Sequence, residues 1–577
     1  MAIHEGTLRS LIASRLAARL RIDPGEVDLR ERFNRQGLDS AGATALIAEL
    51  SAELGRPLSP TLVWAHPSVE ELARHLSGVA GGSTARQADR TLGRTSEPIA
   101  IVGMACRFPQ SPNPQAFWRL LRDGVDATRT VPPDRWDADA LYDPDPQAPD
   151  TINTRRGAFL DRVDLFDPMF FGISPREACE MDPQQRLALE LAWEALEDAG
   201  IPPRSLSGTR TGVFMGVIFR DYADLHRTAD APVTSHTGPG TSLAMVANRI
   251  SYLFGLRGPS LSVDTACSSS LVSVHLACQS LRDGECSLAL AGGVNLILYP
   301  GIAVELTKFG GLSGDGRCKA FDARADGFAR GEGAGVVVLK PLSRALADGD
   351  PVYALIRGGA VNNDGFSNGL TAPSPQAQVE VLTDACARAG VDPRRIQYVE
   401  THGTGTPLGD PIEARALAAV LCADGAGRDP ERPLVIGSAK TNIAHQEGSA
   451  GIAGLIKLAL AIHHREIPPS LHFERPNPDI PFEELGLRVQ TALGPWPVQE
   501  EEALLAGVSS FGWGGTNAHL ILEGPHPPGP PLPERERGEA ARAVFVFSGL
   551  GSQWAGMGLE LLRSEPLVRA RLERCDR

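Results

Sequence analysis

The sequence predicts an α/β protein with a small all-helical unit in front of it. From about residue 97 onward, short β-branched runs alternate with helical patterns: Thr211 to Val217, Leu261 to Val263, Leu288 to Leu296, Val336 to Leu339 and Tyr353 to Gly359. Residues 1 to 78 instead place apolar side chains at helical spacing. With 577 residues, 42% of them hydrophobic, the chain can bury more than one core.

The helical unit opens on Leu8, Leu11, Ile12, Leu16 and Leu20, one face of a first helix. After a long loop, Ala45, Leu46, Leu50 and Leu54 mark a second. Ser68-Val69-Glu70-Glu71 offers a capping box for a last helix carrying Leu72 and Leu76. Gly37-Leu38-Asp39-Ser40 stands at the start of the second helix, where a serine ordinarily serves as an N-cap. Residues 79 to 96, rich in Gly, Ala, Ser, Thr and Arg, predict a flexible linker. At the far end, 524 to 542 begins Gly524-Pro525-His526-Pro527-Pro528-Gly529-Pro530-Pro531, a stiff extended spacer.

Within the α/β region, Val263-Asp264-Thr265-Ala266-Cys267-Ser268-Ser269-Ser270-Leu271 sets one thiol where a strand gives way to a helix. A lone cysteine in an apolar run is usually a small core residue. At a helix N-terminus, however, unpaired N–H groups and the helix dipole favour thiolate, so a nucleophile active near neutral pH is expected. Two distant segments each carry a histidine just past an apparent strand. One is Val399-Glu400-Thr401-His402-Gly403-Thr404-Gly405-Thr406-Pro407-Leu408-Gly409-Asp410-Pro411, the other Ser438-Ala439-Lys440-Thr441-Asn442-Ile443-Ala444-His445. Isolated histidines are more often structural. Two of them, with a thiol, point to catalysis. Lys440 is one of only five lysines among 56 basic residues, which makes its place near His445 less of an accident.

The net charge of −14, with no basic tract, argues against nucleic acid as a partner. No secretory leader or bilayer-length apolar run is present in the sequence, so no membrane partner and a cytoplasmic location are expected. Nine cysteines without a Cys-x-x-Cys pair indicate neither a metal site nor a disulfide framework.

Three further motifs stand in order with these: Glu97-Pro98-Ile99-Ala100-Ile101-Val102-Gly103-Met104-Ala105-Cys106-Arg107-Phe108-Pro109, Met181-Asp182-Pro183-Gln184-Gln185-Arg186, and Ser510-Phe511-Gly512-Trp513-Gly514-Gly515-Thr516-Asn517-Ala518-His519. Together they make residues 97 to 523 resemble the β-ketoacyl synthase family, specifically the ketosynthase domains of modular type I polyketide synthases. The resemblance implies a thiolase-like fold of two related α/β halves, although the sequence displays no internal repeat. It implies decarboxylative Claisen condensation, with Cys267 holding the acyl chain and His402 and His445 assisting decarboxylation of a malonyl-type extender. In the same comparison Lys440 keeps the site electropositive, Thr404 and Thr406 contact a pantetheine arm, and the backbone N–H groups of Cys267 and Trp513 form an oxyanion hole. Thr404 and Thr406 could equally be local backbone caps. Trp513 stands where Phe is common and could narrow the acyl channel, and Ala444 stands where glycine is usual, which could shift His445 slightly.

Residues 1 to 78 resemble an acyl carrier protein, a small four-helix domain, which makes Ser40 the expected attachment point of a covalent 4′-phosphopantetheine. Ala41 replaces a common leucine, and ten Asp/Glu against nine Arg leave the segment nearly neutral where many carriers are acidic. Residues 543 to 577 resemble the truncated start of an acyltransferase domain, with Leu550 in place of a usual glutamine and no Gly-x-Ser-x-Gly elbow. Expected partners are acyl and malonyl-type thioesters on carriers, a phosphopantetheinyl transferase, other polyketide synthase subunits, and a second copy in a homodimer.

A loading-type decarboxylase of this family would carry glutamine at the nucleophile, and a thiolase a second cysteine in place of a histidine. The remaining alternative is a carrier and scaffold protein whose synthase passes acyl groups on without elongating them.

Overall fold

In the computed structural model both expected units form, and the residues described are 4–525 apart from 34, 39, 57, 59–61, 79–96, 368, 423–430 and 499–501. The expected linker at 79–96, the expected spacer from 526 and the 543–577 segment lie outside the described residues.

The leading unit consists of α1 (Glu5–Leu20), α2 (Ser40–Glu53), α3 (Leu62–Ala65) and α4 (Val69–Ser77). Leu8, Ile12 and Leu16 of α1 meet Leu46 and Leu50 of α2 and Leu72 of α4 in one fully buried core. Each such side chain contributes about 1.5–3 kcal/mol. The expected cap on α4 is present, with the Ser68 hydroxyl accepting the Glu71 N–H at 3.3 Å.

Eleven strands build the main sheet. β1 (Ile99–Arg107), β2 (Thr211–Gly216), β3 (Ser260–Val263), β4 (Leu288–Asn295) and β5 (Gly333–Pro341) make its first half. The second half holds β6 (Ala354–Asn363), β7 (Tyr398–Glu400), β8 (Leu434–Gly437), β9 (Leu487–Val489), β10 (Leu505–Phe511) and β11 (Thr516–Glu523). Their order is β9-β8-β7-β10-β11-β6-β1-β5-β4-β2-β3. With β9 set aside, each half places its own strands in the order first, fifth, fourth, second, third.

The pairing senses also agree. First with fifth and fifth with fourth are antiparallel, while fourth with second and second with third are parallel, in both halves. The duplication absent from the sequence is therefore plain in the topology, and the fold is thiolase-like.

Helices follow the same symmetry. α5 (Pro183–Asp198) and α6 (Ala244–Phe254) cover the outer face of the first half, and α7 (Ser269–Arg282) runs along its inner face. The second half has α8 (Pro375–Ala389) and α9 (Gly409–Leu421) outside and α10 (Ala450–His464) inside. Alternation along β1 serves both layers: Ile99 and Ile101 face the inner core, Ala100 and Val102 the outer one. α7 and α10 pack on each other, and α10 is apolar and buried along nearly its whole length, as a central helix must be. This symmetry fixes the site. Cys267 follows β3 while Lys440 and His445 follow β8, the third strand of either half, and His402 follows β7.

Candidate active site

After β3 the chain turns sharply into α7. Asp264 Oδ1 accepts the Ala266 N–H at 3.0 Å and Ser269 Oγ accepts the Thr265 N–H at 2.8 Å. Ala266 is held at φ 56°, in the left-handed region that a Cβ disfavours. The turn delivers Cys267 to a cavity of about 590 Å³, and Ser510 Oγ–H fixes the Cys267 carbonyl at 2.8 Å.

His402, His445, Thr404, Thr406 and Trp513 line the same cavity, among Phe219, Leu306, Phe309, Phe328 and Phe511. Glu413 of α9 anchors the His402 loop by accepting the N–H groups of His402 at 2.7 Å and Gly403 at 2.8 Å. His402 Nδ1 accepts the Phe511 N–H at 3.3 Å, and His445 Nδ1 accepts the Glu447 N–H at 3.0 Å. A neutral imidazole that accepts at Nδ1 carries its proton on Nε2, so both rings present an N–H donor. Their centroids lie 5.5 Å apart, nearly perpendicular.

Both rings are neutral. Burial pushes their pKa values well below the ordinary histidine value; the Lys440 charge adds to this at both, His445 at His402, and Arg330 at His445. Lys440 is buried behind the cavity rather than in its wall. Its own pKa is lowered by burial, against the pull of Glu400, Glu413, Cys318 and Cys267.

Thr404 and Thr406 hydroxyls lie 3.2 Å apart, and Thr406 Oγ1 also accepts the Gly409 N–H at 3.2 Å, so this threonine both faces the cavity and caps α9. Trp513 lines the cavity and sets its indole edge-on to Phe309, centroids 5.6 Å apart. Ala444, where glycine is usual, takes φ 60° and ψ −175°. That conformation is close to glycine-only.

The thiol was expected to favour thiolate; α7 starts only at Ser269, and Cys267 is half-buried beside the cavity. Burial, with the Glu447 charge adding, pushes its pKa up to about 12; Lys440 and the backbone N–H groups of Trp513 and Cys267 oppose this without overcoming it. Both N–H groups lie close enough to the sulfur to favour its charged form.

Sequence reasoning missed Glu413, Glu447 and Arg330. The two glutamates present carboxylates or backbone N–H groups to the histidine loops, and Arg330 reaches Glu447 from 117 positions away, so no local spacing marks them. Ser40 begins α2 in the leading domain, preceded by Gly37 at φ 100°. A helix N-terminus with backbone N–H groups at hand suits a phosphodiester on that residue.

Known proteins share this sequence and fold. Profiles of the β-ketoacyl synthase N-terminal and C-terminal domains match residues 96–345 and 353–474, a phosphopantetheine attachment site profile matches 10–76, and a ketoacyl-synthetase C-terminal extension profile matches 476–562. One of the phenolphthiocerol/phthiocerol polyketide synthase subunits of Mycobacterium tuberculosis is 49% identical over 90% of this chain and 28% of its own length. Erythronolide synthase EryA2 of Saccharopolyspora erythraea is 49% identical over 91% of this chain and 14% of its own. The chain thus spans a small part of these relatives. Among solved structures, the oxazolomycin ketosynthase domain of Streptomyces albus JA3453 superposes with a TM-score of 0.71 at 44% identity, covering 75% of each chain. The module 6 ketosynthase of the bacillaene synthase from Bacillus subtilis 168 gives 0.69 at 42% identity, over 75% of this chain and 73% of that one.

Proposed function

Because the chain belongs to the β-ketoacyl synthase family, we propose that it lengthens acyl chains by decarboxylative Claisen condensation as the ketosynthase of a polyketide synthase module. The observation that carries this reading is the convergence, in one cavity, of the Cys267 thiol and two neutral imidazoles that accept at Nδ1 and so carry their donor proton on Nε2.

Cys267 Sγ attacks the carbonyl of an acyl thioester. The oxyanion takes hydrogen bonds from the Cys267 and Trp513 N–H groups, and collapse expels the donor thiol, which takes the proton that Cys267 gives up. A malonyl-type thioester then enters. As its carboxylate leaves as carbon dioxide, the electron pair moves onto the thioester carbonyl oxygen, where His402 and His445 donate from Nε2. The resulting enolate carbon attacks the Cys267 thioester, the new C–C bond forms, and the C–S bond breaks to release the sulfur as thiolate, which takes a proton from solvent to restore the thiol.

Lys440 supports the neutral donors: burial first, and then its charge, disfavours imidazolium at both histidines. Thr404 and Thr406 are assigned to the pantetheine arm of the incoming thioester. Ser40 is the attachment residue for the 4′-phosphopantetheine, whose thiol supplies a tethered carrier of acyl groups. A phosphopantetheinyl transferase, carrier-bound thioesters and other polyketide synthase subunits are the partners of this reading. Its domain limits are 1–78 for the carrier, 79–96 for a linker, 97–523 for the synthase, 524–542 for a spacer and 543–577 for an acyltransferase fragment. None of the helices among the described residues is long and apolar enough to cross a membrane, and we assign the protein to the cytoplasm.

Intact-protein mass tests this. After a phosphopantetheinyl transferase with coenzyme A, then an acyl thioester and a malonyl carrier, we expect arm addition lost in Ser40→Ala, acylation lost in Cys267→Ala, and an elongated β-keto product. His402→Ala should still acylate but condense at least ~100-fold more slowly. Acylation of the Cys267→Ala protein would overturn the nucleophile, and arm addition with acylation but no elongation would favour the acyl-transferring scaffold instead.

A further inference from the structure

Below the His445 side of the cavity lies a set of buried polar side chains that no step above uses. Arg330, on the segment leading into β5, is 5% exposed, and Glu447, just past His445, is 3% exposed. Arg330 donates from Nε to Glu447 Oε1 at 2.6 Å and from Nη2 to Oε2 at 2.9 Å. Asn295 Nδ2, fully buried, adds a third hydrogen bond to Oε2 at 3.0 Å and also reaches the Gly331 carbonyl at 2.9 Å. Taking two charges out of water is expensive, so such a pair often adds nothing to stability over apolar residues of equal size. Its geometry suggests what it secures.

The turn it holds is strained. Ala444 occupies its near glycine-only conformation, and Glu447 follows at φ 48°. Such residues cost of order 1–3 kcal/mol each and persist only where the surroundings over-determine them. The segment 329–331 does that twice. Its backbone clips His445 on both sides, the His445 N–H donating to the Ala329 carbonyl and the Gly331 N–H to the His445 carbonyl, both at 2.8 Å. Its Arg330 side chain then grips the Glu447 carboxylate. Between these two grips lies the 3.0 Å bond from the Glu447 N–H to His445 Nδ1, the bond that puts the imidazole proton on Nε2.

We propose that Arg330 is a positioning residue for condensation: its two-pronged pair with Glu447 holds the strained 444–447 turn, so that the Glu447 N–H fixes His445 as an Nε2–H donor. The functional consequence rests on the role assigned to His445 above, whereas the tautomer does not. Arg330 itself touches no substrate. Without the grip, the turn relaxes, Nδ1 loses its donor, and the ring is free to rotate or to exchange tautomers.

The test replaces the pair without leaving a charge behind, in Arg330→Met combined with Glu447→Gln, beside the single variant Arg330→Lys, which retains the charge on one prong. The double variant should lose on the order of 100-fold in condensation kcat, as misplacement by about an ångström does, with little change in extender KM. Acyl loading of Cys267, whose pKa Glu447 also raises, should not fall with condensation in the double variant, and Arg330→Lys, which keeps that carboxylate, should load at close to the parent rate. Arg330→Lys should fall between the double variant and the parent in condensation. The readout that packing alone would not move is the ¹⁵N spectrum of the His445 imidazole, assigned with His445→Gln. It should report a single Nε2–H tautomer in the parent and a mixture in the double variant. An unchanged tautomer, or condensation at the parent rate, in the double variant overturns the proposal, and if the double variant does not fold, Arg330→Lys with the parent's rate and spectrum overturns it equally. Should the parent itself release no elongated product, the condensation reading falls while the imidazole spectra still decide the clamp.

Discussion

Cys267 is held as a thiol by burial and by the Glu447 carboxylate, and the groups that favour its thiolate offset these only in part. A raised pKa leaves little thiolate at neutral pH and lets it grow with each step up in pH toward about 12. Alkylation of Cys267 by iodoacetamide should accordingly climb about tenfold per pH unit from roughly 6.5 to 9.5, followed by peptide mass spectrometry to separate it from the exposed Cys179. A plateau near neutral pH would contradict the buried thiol. Catalysis does not require a standing thiolate, since loading exchanges one thiol for another and the leaving thiol takes the proton. Cys267, His402 and His445 were legible in the sequence because residue type, motif and position after a strand all agreed. The raised pKa of the thiol was not, because burial comes first in it and Glu447, Lys440 and the Trp513 N–H adjust it, all brought to Cys267 only by the fold.

At the scale of elements, the strands expected from β-branched runs appear within a few residues: the expected Leu288 to Leu296 is β4, Leu288–Asn295, and Tyr353 to Gly359 lies in β6, Ala354–Asn363. The duplication stayed hidden because a sheet position asks only for a buried β-former. Ser260–Val263 and Leu434–Gly437 occupy the same place in their halves, yet read Ser-Leu-Ser-Val and Leu-Val-Ile-Gly, with no identity position by position. That equivalence also exposes one asymmetry. β8 is covered on its outer side by β9, whereas β3, its counterpart, is the last strand of its edge. Its Leu261 is 45% exposed, and Tyr252 on neighbouring α6 is 61% exposed. An unpaired edge beside exposed apolar side chains is a template for another strand, and a second copy of this chain would supply one. The synthase should therefore sediment as a homodimer at micromolar concentration. Leu261→Asp should shift it to the monomer mass and slow acyl loading, because β3 runs directly into the Cys267 turn. A parent protein of monomeric mass would remove the argument.

For the whole molecule, the buried ionisable groups set how stability responds to acid. His275 and His519 are held down to about 4 and about 3, and His402 and His445 well below the ordinary value, in each case first by burial. Below about pH 6.5 the unfolded chain protonates these histidines while the folded one does not, so each costs up to about 1.4 kcal/mol of stability per pH unit as the pH falls. Burial acts the other way on acids. Asp182, Asp221 and Asp410 are raised to about 6 and Glu413 to about 7. Between those values and the ordinary carboxylate range near 4, the folded state binds protons that the unfolded state does not, so stability rises as the pH falls. These carboxylates, with Glu190 also raised to about 7, oppose the histidines from about pH 6 to about 4.5. Below that range the carboxylates are protonated in both states and contribute no further slope, while His402, His445 and His519 go on losing. The urea midpoint should thus stay nearly level from pH 6 to about 4.5 and fall steeply below it. A midpoint that falls steadily from pH 6.5 would mean that the carboxylates are ionised in the folded protein. One that keeps rising to pH 4 would mean that the histidines are charged there, against the neutral donors on which the proposed mechanism depends.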